Sequence, residues 1–182
     1  LELRGTSAAQ NKSMRGGWQS RRDFLIAGDP VSEALLKLVD IGIRTASAHH
    51  AAADPRSTRL EYELISWANC SGAGDYNLVH DHPMSSWSAV YYVSCPPKSG
   101  QEPGEGNLSF IDPRNAPQIL GISGHHGIRH DIQPCEGLMV MFPSWLRHAV
   151  LPHRSAQPRM SIAFNALVKV FVPGSKGGAD GS

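Results

Sequence analysis

Asn77-Leu78-Val79-His80-Asp81-His82-Pro83 is the stretch whose reading organises the rest of the chain. In an extended strand successive side chains point to opposite faces, so His80 and His82 share one face and Asp81 takes the other. Two imidazoles on one face can grip one metal ion. A third ligand has to come from elsewhere, and His148, closing Phe142-Pro143-Ser144-Trp145-Leu146-Arg147-His148, is the best candidate. Neutral imidazole suits iron, zinc, copper and nickel alike.

Downstream of Pro83 the pattern stays that of short strands. Trp87, Val90, Tyr91, Tyr92 and Val93 make 85–94 the strongest strand of the sequence. A polar loop over 98–106 leads to a short strand over 107–111, ended by Asp112-Pro113-Arg114. His125, His126 and His130 fall in a glycine-containing loop or weak strand and read as surface or substrate-side polar residues rather than ligands. Gln133 to Gly137 is turn chemistry, 138–142 a buried strand, 147–151 another, and 159–172 the last, before a flexible tail over 173–182.

Upstream of Asn77, Leu60, Tyr62 and Leu64 alternate with Glu61 and Glu63 as a strand entering the core, followed by a loop of small residues over 69–75. Gly72 and Gly74 do not open a helix after a strand, which argues against a phosphate-cradling loop. Asp29-Pro30 supplies an N-cap and a first-turn proline for an amphipathic helix over 30–44, with Val31, Leu35, Leu38, Val39 and Gly42 on one face. A second short helix is expected over 46–54, stopped by Asp54-Pro55. Residues 1–20 read as an arm laid over the domain and anchored by Gly16-Gly17-Trp18-Gln19-Ser20.

Eighteen glycines and thirteen prolines cut the chain into many short segments, which favours a sandwich or barrel over a helical bundle. The 182 residues fit one domain, with the arm and helices over 1–59, a β core over 60–172 and the tail. A net charge of +1 gives no electrostatic reason to expect nucleic acid or an anionic membrane as partner. The apolar runs fall well short of the ~20 residues that span a bilayer, and Leu1-Glu2-Leu3-Arg4 opens no secretory apolar region, so a soluble, cytoplasmic protein is expected. Cys70, Cys95 and Cys135 are odd in number and widely spaced, and read as free thiols.

A second chemical signal is independent of the histidines. Arg159 and Ser161 lie two residues apart, on one face of one strand, where a guanidinium and a hydroxyl can clamp a carboxylate. A metal grip beside a carboxylate clamp describes a site for a small carboxylic acid held by metal at one end and by arginine at the other.

His-x-(acid), a distal histidine and Arg-x-Ser together resemble the iron(II)- and 2-oxoglutarate-dependent dioxygenases. More closely, Gly16 to Ser20, Trp67-Ala68-Asn69, Asn77 to Pro83, Trp87 to Tyr92, Asp112-Pro113-Arg114, Phe142 to His148 and Arg159 to Asn165 resemble a bacterial and phage subfamily of these oxygenases, over about residues 14–170. The resemblance implies a mainly β protein, a double-stranded β-helix or cupin-like jelly roll with flanking N-terminal helices. It implies iron(II) and 2-oxoglutarate, with hydroxylation of a small-molecule or peptide substrate and release of succinate and carbon dioxide. His80 becomes the proximal and His148 the distal metal ligand; Arg159, assisted by Ser161, holds the far carboxylate of 2-oxoglutarate; Asn69 and Tyr92 are further co-substrate contacts. A homodimer is compatible with this picture.

The chain departs from the family pattern at one position. Most of the superfamily carries a carboxylate two residues after the first histidine, where this chain has His82, and strand alternation turns Asp81 away. The expectation is therefore a three-histidine site of His80, His82 and His148. Two alternatives stand beside the leading reading: a cupin-like three-histidine dioxygenase that does not use 2-oxoglutarate, and a non-catalytic metal-binding jelly-roll module.

Overall fold

The spine of the fold is β10 (Arg159–Val172), which has the bounds its sequence implied. The computed structural model describes residues 13–25, 29–100, 102–113 and 129–174. β10 pairs antiparallel with β3 (Arg59–Ser71) on one side and with β5 (Trp87–Ser94) on the other. β2 (Trp18–Gln19) continues this sheet beyond β3 and β8 (Met139–Pro143) beyond β5, for the order β2-β3-β10-β5-β8. The second sheet is built from β1 (Met14–Arg15), β4 (Tyr76–His80), β9 (His148–Val150), β6 (Leu108–Ile111) and β7 (Arg129–Ile132). Its order is β1-β4-β9-β6-β7, again with antiparallel neighbours. Two packed antiparallel sheets with crossing connections make the mainly β jelly roll.

Strand alternation gives β10 two different faces. Arg159, Ser161, Ala163 and Asn165 line the cavity between the sheets. Ile162, Phe164 and Ala166 belong to an apolar cluster with Leu35, Val39 and Ile43 of α1 (Pro30–His50), which covers the outside of the first sheet. Burying each of those three helix side chains contributes about 1.5–3 kcal/mol. A separate cluster of Tyr92, Val140 and Phe142 from the first sheet with Leu108 and Phe110 from the second closes the sandwich from inside.

α1 starts where its cap signals put it: the Asp29 side chain accepts the Ser32 amide at 2.8 Å, and Pro30 opens the first turn. The rest of the helical expectation needs correcting. One continuous helix of 21 residues replaces the two short ones, because Ser47 and Ala48 are still buried and the Trp87 indole donates to Ser47 Oγ at 2.8 Å. The apolar face is also rotated: Leu35, Val39 and Ile43 are buried, whereas Val31 and Leu38 are 75% and 52% exposed. Gly42 is the point of close approach, since a Cβ there would stand 2.7 Å from Met141 Cε of β8.

β3 is longer than its alternation alone indicated and runs to Ser71, which places Asn69 in a strand rather than a loop. The arm is a strap between the sheets, with β1 on β4 and β2 on β3. The turn between them requires glycine: Gly17 has φ +64, and a Cβ on it would lie 2.9 Å from the Cys70 carbonyl oxygen. Arg114, His125, His126 and residues 175–182, all included in the sequence reading, lie outside the described residues.

Candidate metal centre

β4 and β9 are neighbours in register, with His80 directly opposite His148. That pairing brings together two residues far apart in sequence and aims both rings the same way. His82 arrives differently from the expectation. β4 ends at His80, so strand alternation does not place His82; its backbone N–H donates instead to the Ser144 carbonyl at 2.9 Å. Ser144 is itself anchored, its hydroxyl 2.8 Å from that of Ser88, which donates to Asn165 Oδ1 at 2.8 Å. This buried Asn165–Ser88–Ser144 chain was not foreseen. Asn165 and Ser88 lie in strands and Ser144 in the turn after β8, and such small polar residues carry no signal of their own until the strands are paired.

The three imidazoles converge. Ring centroids stand 4.3 Å apart for His80 and His148, 5.0 Å for His80 and His82, and 5.2 Å for His82 and His148. One ring nitrogen from each lies within 4.8 Å of the others. His80 Nδ1 is 2.7 Å from the Leu78 carbonyl and His148 Nδ1 is 2.9 Å from that of Leu146. A carbonyl only accepts, so each Nδ1 carries the proton and each Nε2 keeps its lone pair for a metal. Asp81 is exposed and not part of the cluster.

Burial also keeps these rings neutral. It lowers the His148 pKa to about 3, with His80 and His82 adding to the effect, and that of His82 to about 4, again with help from His80. The His80 ring is lowered by burial as well. Neutral imidazole is the ligating form, so the site is ready at neutral pH without displacing protons. Phe142 packs 4.7 Å from His148 and Trp67 6.2 Å from His82, giving the cluster apolar walls. The Arg22 guanidinium stands 5.6 Å from the centre of the Trp67 ring.

The cavity at the cluster is about 280 Å³ and reaches Arg159. Arg159 is 4% exposed and donates from Nη1 to the Gly106 carbonyl at 3.0 Å, and it makes no ion pair among the described residues. Burial lowers its pKa, but a guanidinium keeps its proton at neutral pH. Register brings the other sequence candidates beside it: Asn69 and Tyr92 are the partners of Ser161 on the two strands that flank β10. Burial pushes the Tyr92 phenol up to about 12, so its hydroxyl stays a donor.

His130 sits exposed on β7 and does not line this cavity. Lys98, Glu105 and Gly106 of the polar loop over 98–106 line a separate cavity of about 380 Å³ that shares Arg159. Gln19 and Arg22 line the metal cavity and were not singled out by the sequence. The signal for Gln19 was the Gly16 to Ser20 motif itself.

Fold and site together define a class: a jelly roll with three histidines grouped at one end of a cavity and a buried arginine in its wall. Residues 65–165 match the family described as "Putative 2OG-Fe(II) oxygenase". The chain belongs to this 2-oxoglutarate and iron(II) oxygenase family, whose metal and co-substrate are iron(II) and 2-oxoglutarate. Among solved structures it is similar to a Pseudomonas putida prolyl-4-hydroxylase, with 15% identity over 90% of this chain and 77% of that one and a TM-score of 0.58. It is also similar to HygX from Streptomyces hygroscopicus, a structure with nickel and 2-oxoglutarate bound, with 14% identity over 86% and 71% of the two chains and a TM-score of 0.55. An oxidoreductase of the 2OG-Fe(II) oxygenase family from Burkholderia pseudomallei gives 17% identity, 91% and 74% coverage and a TM-score of 0.52. At these identities the likeness establishes the fold. No curated protein matches the sequence, and no helix among the described residues is long and apolar enough to cross a membrane.

The residues present fit the family's metal and co-substrate. Three neutral nitrogen donors face one point, and the buried cation in the same cavity has no carboxylate partner among the described residues.

Proposed function

We propose that the protein is an iron(II)- and 2-oxoglutarate-dependent dioxygenase that hydroxylates a small-molecule or peptide substrate, forming succinate and carbon dioxide. His80, His82 and His148 hold the metal, Arg159 with Ser161 holds the far carboxylate of the co-substrate, and Asn69 and Tyr92 donate to it. The observation that carries this reading is Arg159, a buried guanidinium without an ion-pair partner among the described residues, in the wall of the cavity that holds the histidines. A buried cation in that wall favours an anionic co-substrate over a metal-binding module or an oxygenase that does not use 2-oxoglutarate.

When bound, iron(II) with 2-oxoglutarate supplies oxygen activation coupled to decarboxylation of the 2-oxo acid. The chain's own work is placement and exclusion. Three neutral ligands leave the full charge of the metal uncompensated, and Arg159 adds a fourth side chain favouring a dianion. Trp67 and Phe142 keep the metal end of the cavity apolar, which strengthens each charged contact inside it.

The test is anaerobic addition of iron(II) and 2-oxoglutarate, followed by visible absorption for the charge-transfer band of the chelate, and then admission of air. The expected result is a band, followed by succinate. Absence of both overturns the proposal.

A further inference from the structure

Gln19 enters the metal cavity from β2, the edge strand contributed by the arm. Register sets Gln19 against Asn69, and Asn69 against Ser161, which in turn faces Tyr92. Four polar side chains thus form one row across four neighbouring strands, all lining the same cavity. Within the row one contact has a direction: Gln19 Nε2 donates to Asn69 Oδ1 at 2.9 Å. With its oxygen engaged, the Asn69 amide has only its Nδ2 donors left for the cavity.

We propose that Gln19 is a positioning residue for the co-substrate: by occupying Asn69 Oδ1 it commits Asn69 to present hydrogen-bond donors to a carboxylate oxygen of 2-oxoglutarate. This rests on the reading that 2-oxoglutarate occupies the cavity. A freely turning asparagine would offer its oxygen as readily as its nitrogen, and an oxygen turned towards a carboxylate repels it. The arm is what holds Gln19 there, and its attachment is independent of the Gln19 side chain. Ser20 N donates to the Ala68 carbonyl at 2.9 Å and Ala68 N to Ser20 Oγ at 2.9 Å. Further along, Phe24 N donates to the Ser66 carbonyl at 3.1 Å. Substitution of Gln19 therefore leaves the strap in place.

The test compares wild type, Gln19→Ala and Gln19→Glu. A glutamate only accepts, so it draws Asn69 Nδ2 towards itself and turns Asn69 Oδ1 into the cavity. In anaerobic titrations of the iron(II)-loaded proteins with 2-oxoglutarate, followed by charge-transfer absorption, Gln19→Ala is expected to weaken binding roughly tenfold and Gln19→Glu about a hundredfold. Iron(II) affinity should be unchanged in both. In the metal-free proteins, the Asn69 side-chain NH2 signals should exchange rapidly with water in wild type and become protected in Gln19→Glu. Wild-type affinity in Gln19→Glu, equal losses in the two variants, or unaltered Asn69 signals would overturn the proposal. If wild type itself fails to bind 2-oxoglutarate, the proposed function falls and the co-substrate role of Gln19 with it. The Asn69 signals then decide the orienting contact alone.

Discussion

At the scale of single residues, His82 separates this chain from relatives with a carboxylate two positions after the first histidine. Asp81 is available one residue away yet stays exposed outside the cluster, so imidazole rather than carboxylate completes the triad. If His82 is a ligand, His82→Ala should weaken iron(II) or cobalt(II) binding by about a hundredfold or more, and Asp81→Ala should leave it within about twofold, both read by anaerobic titration. Equal effects would remove His82 from the metal. Arg159→Ala makes the complementary prediction at the other end. Removing a charge-assisted clamp should cost 2-oxoglutarate roughly one to two orders of magnitude in affinity while sparing the metal, once thermal unfolding has shown the variant folded.

At the scale of elements, α1 shows how far local pattern reaches. Capping was local and correct: the Asp29 carboxylate takes the Ser32 amide, and its pKa is lowered by that bond. Which stripe faces the sheet was decided by packing, where Phe164 and Ala166 of β10 receive Leu35, Val39 and Ile43. Ile43→Ala should therefore cost about 2–5 kcal/mol in denaturant unfolding, whereas Leu38→Ala, at 52% exposure, should change stability by no more than about 0.5 kcal/mol. The reverse ranking would mean that the helix is docked in another rotation. The strap works by the same division of labour, since the Gly16-Gly17 turn is local chemistry but the pairing of β1 and β2 with different sheets is not.

At the scale of the whole molecule, the buried triad couples stability to pH. In the unfolded chain these histidines titrate near 6.5, whereas in the fold His148 titrates at about 3 and His82 at about 4. Between those limits the unfolded chain binds protons that the fold refuses, so stability is full above the unfolded value and is lost as pH falls. The melting temperature of the metal-free protein should be level from about pH 8 to 7 and decline progressively below about 6.5. A profile that is flat to about pH 4 would show that the rings are solvated and the site open. A bound metal should raise the melting temperature at neutral pH, with the gain shrinking on acidification as protons compete for the same lone pairs.

What could be read without a structure was whatever depends on neighbours in sequence: the short-strand architecture from its turn residues, the cap of α1, the span of β10, and the chemistry of His80, His148 and Arg159 from their types and order. The family resemblance rested on such motifs, and residues 65–165 carry it. What only the tertiary structure decided depends on partners distant in the chain. His82 is held by Ser144 after its strand has ended, and Asn69 is in a strand because β10 pairs with it as far as Ser71. Gln19 reaches the cavity because the arm adds itself to that same sheet edge. Each of these is a hydrogen bond or register between segments about 50 residues apart or more, and backbone groups pair by geometry that a one-dimensional pattern does not contain.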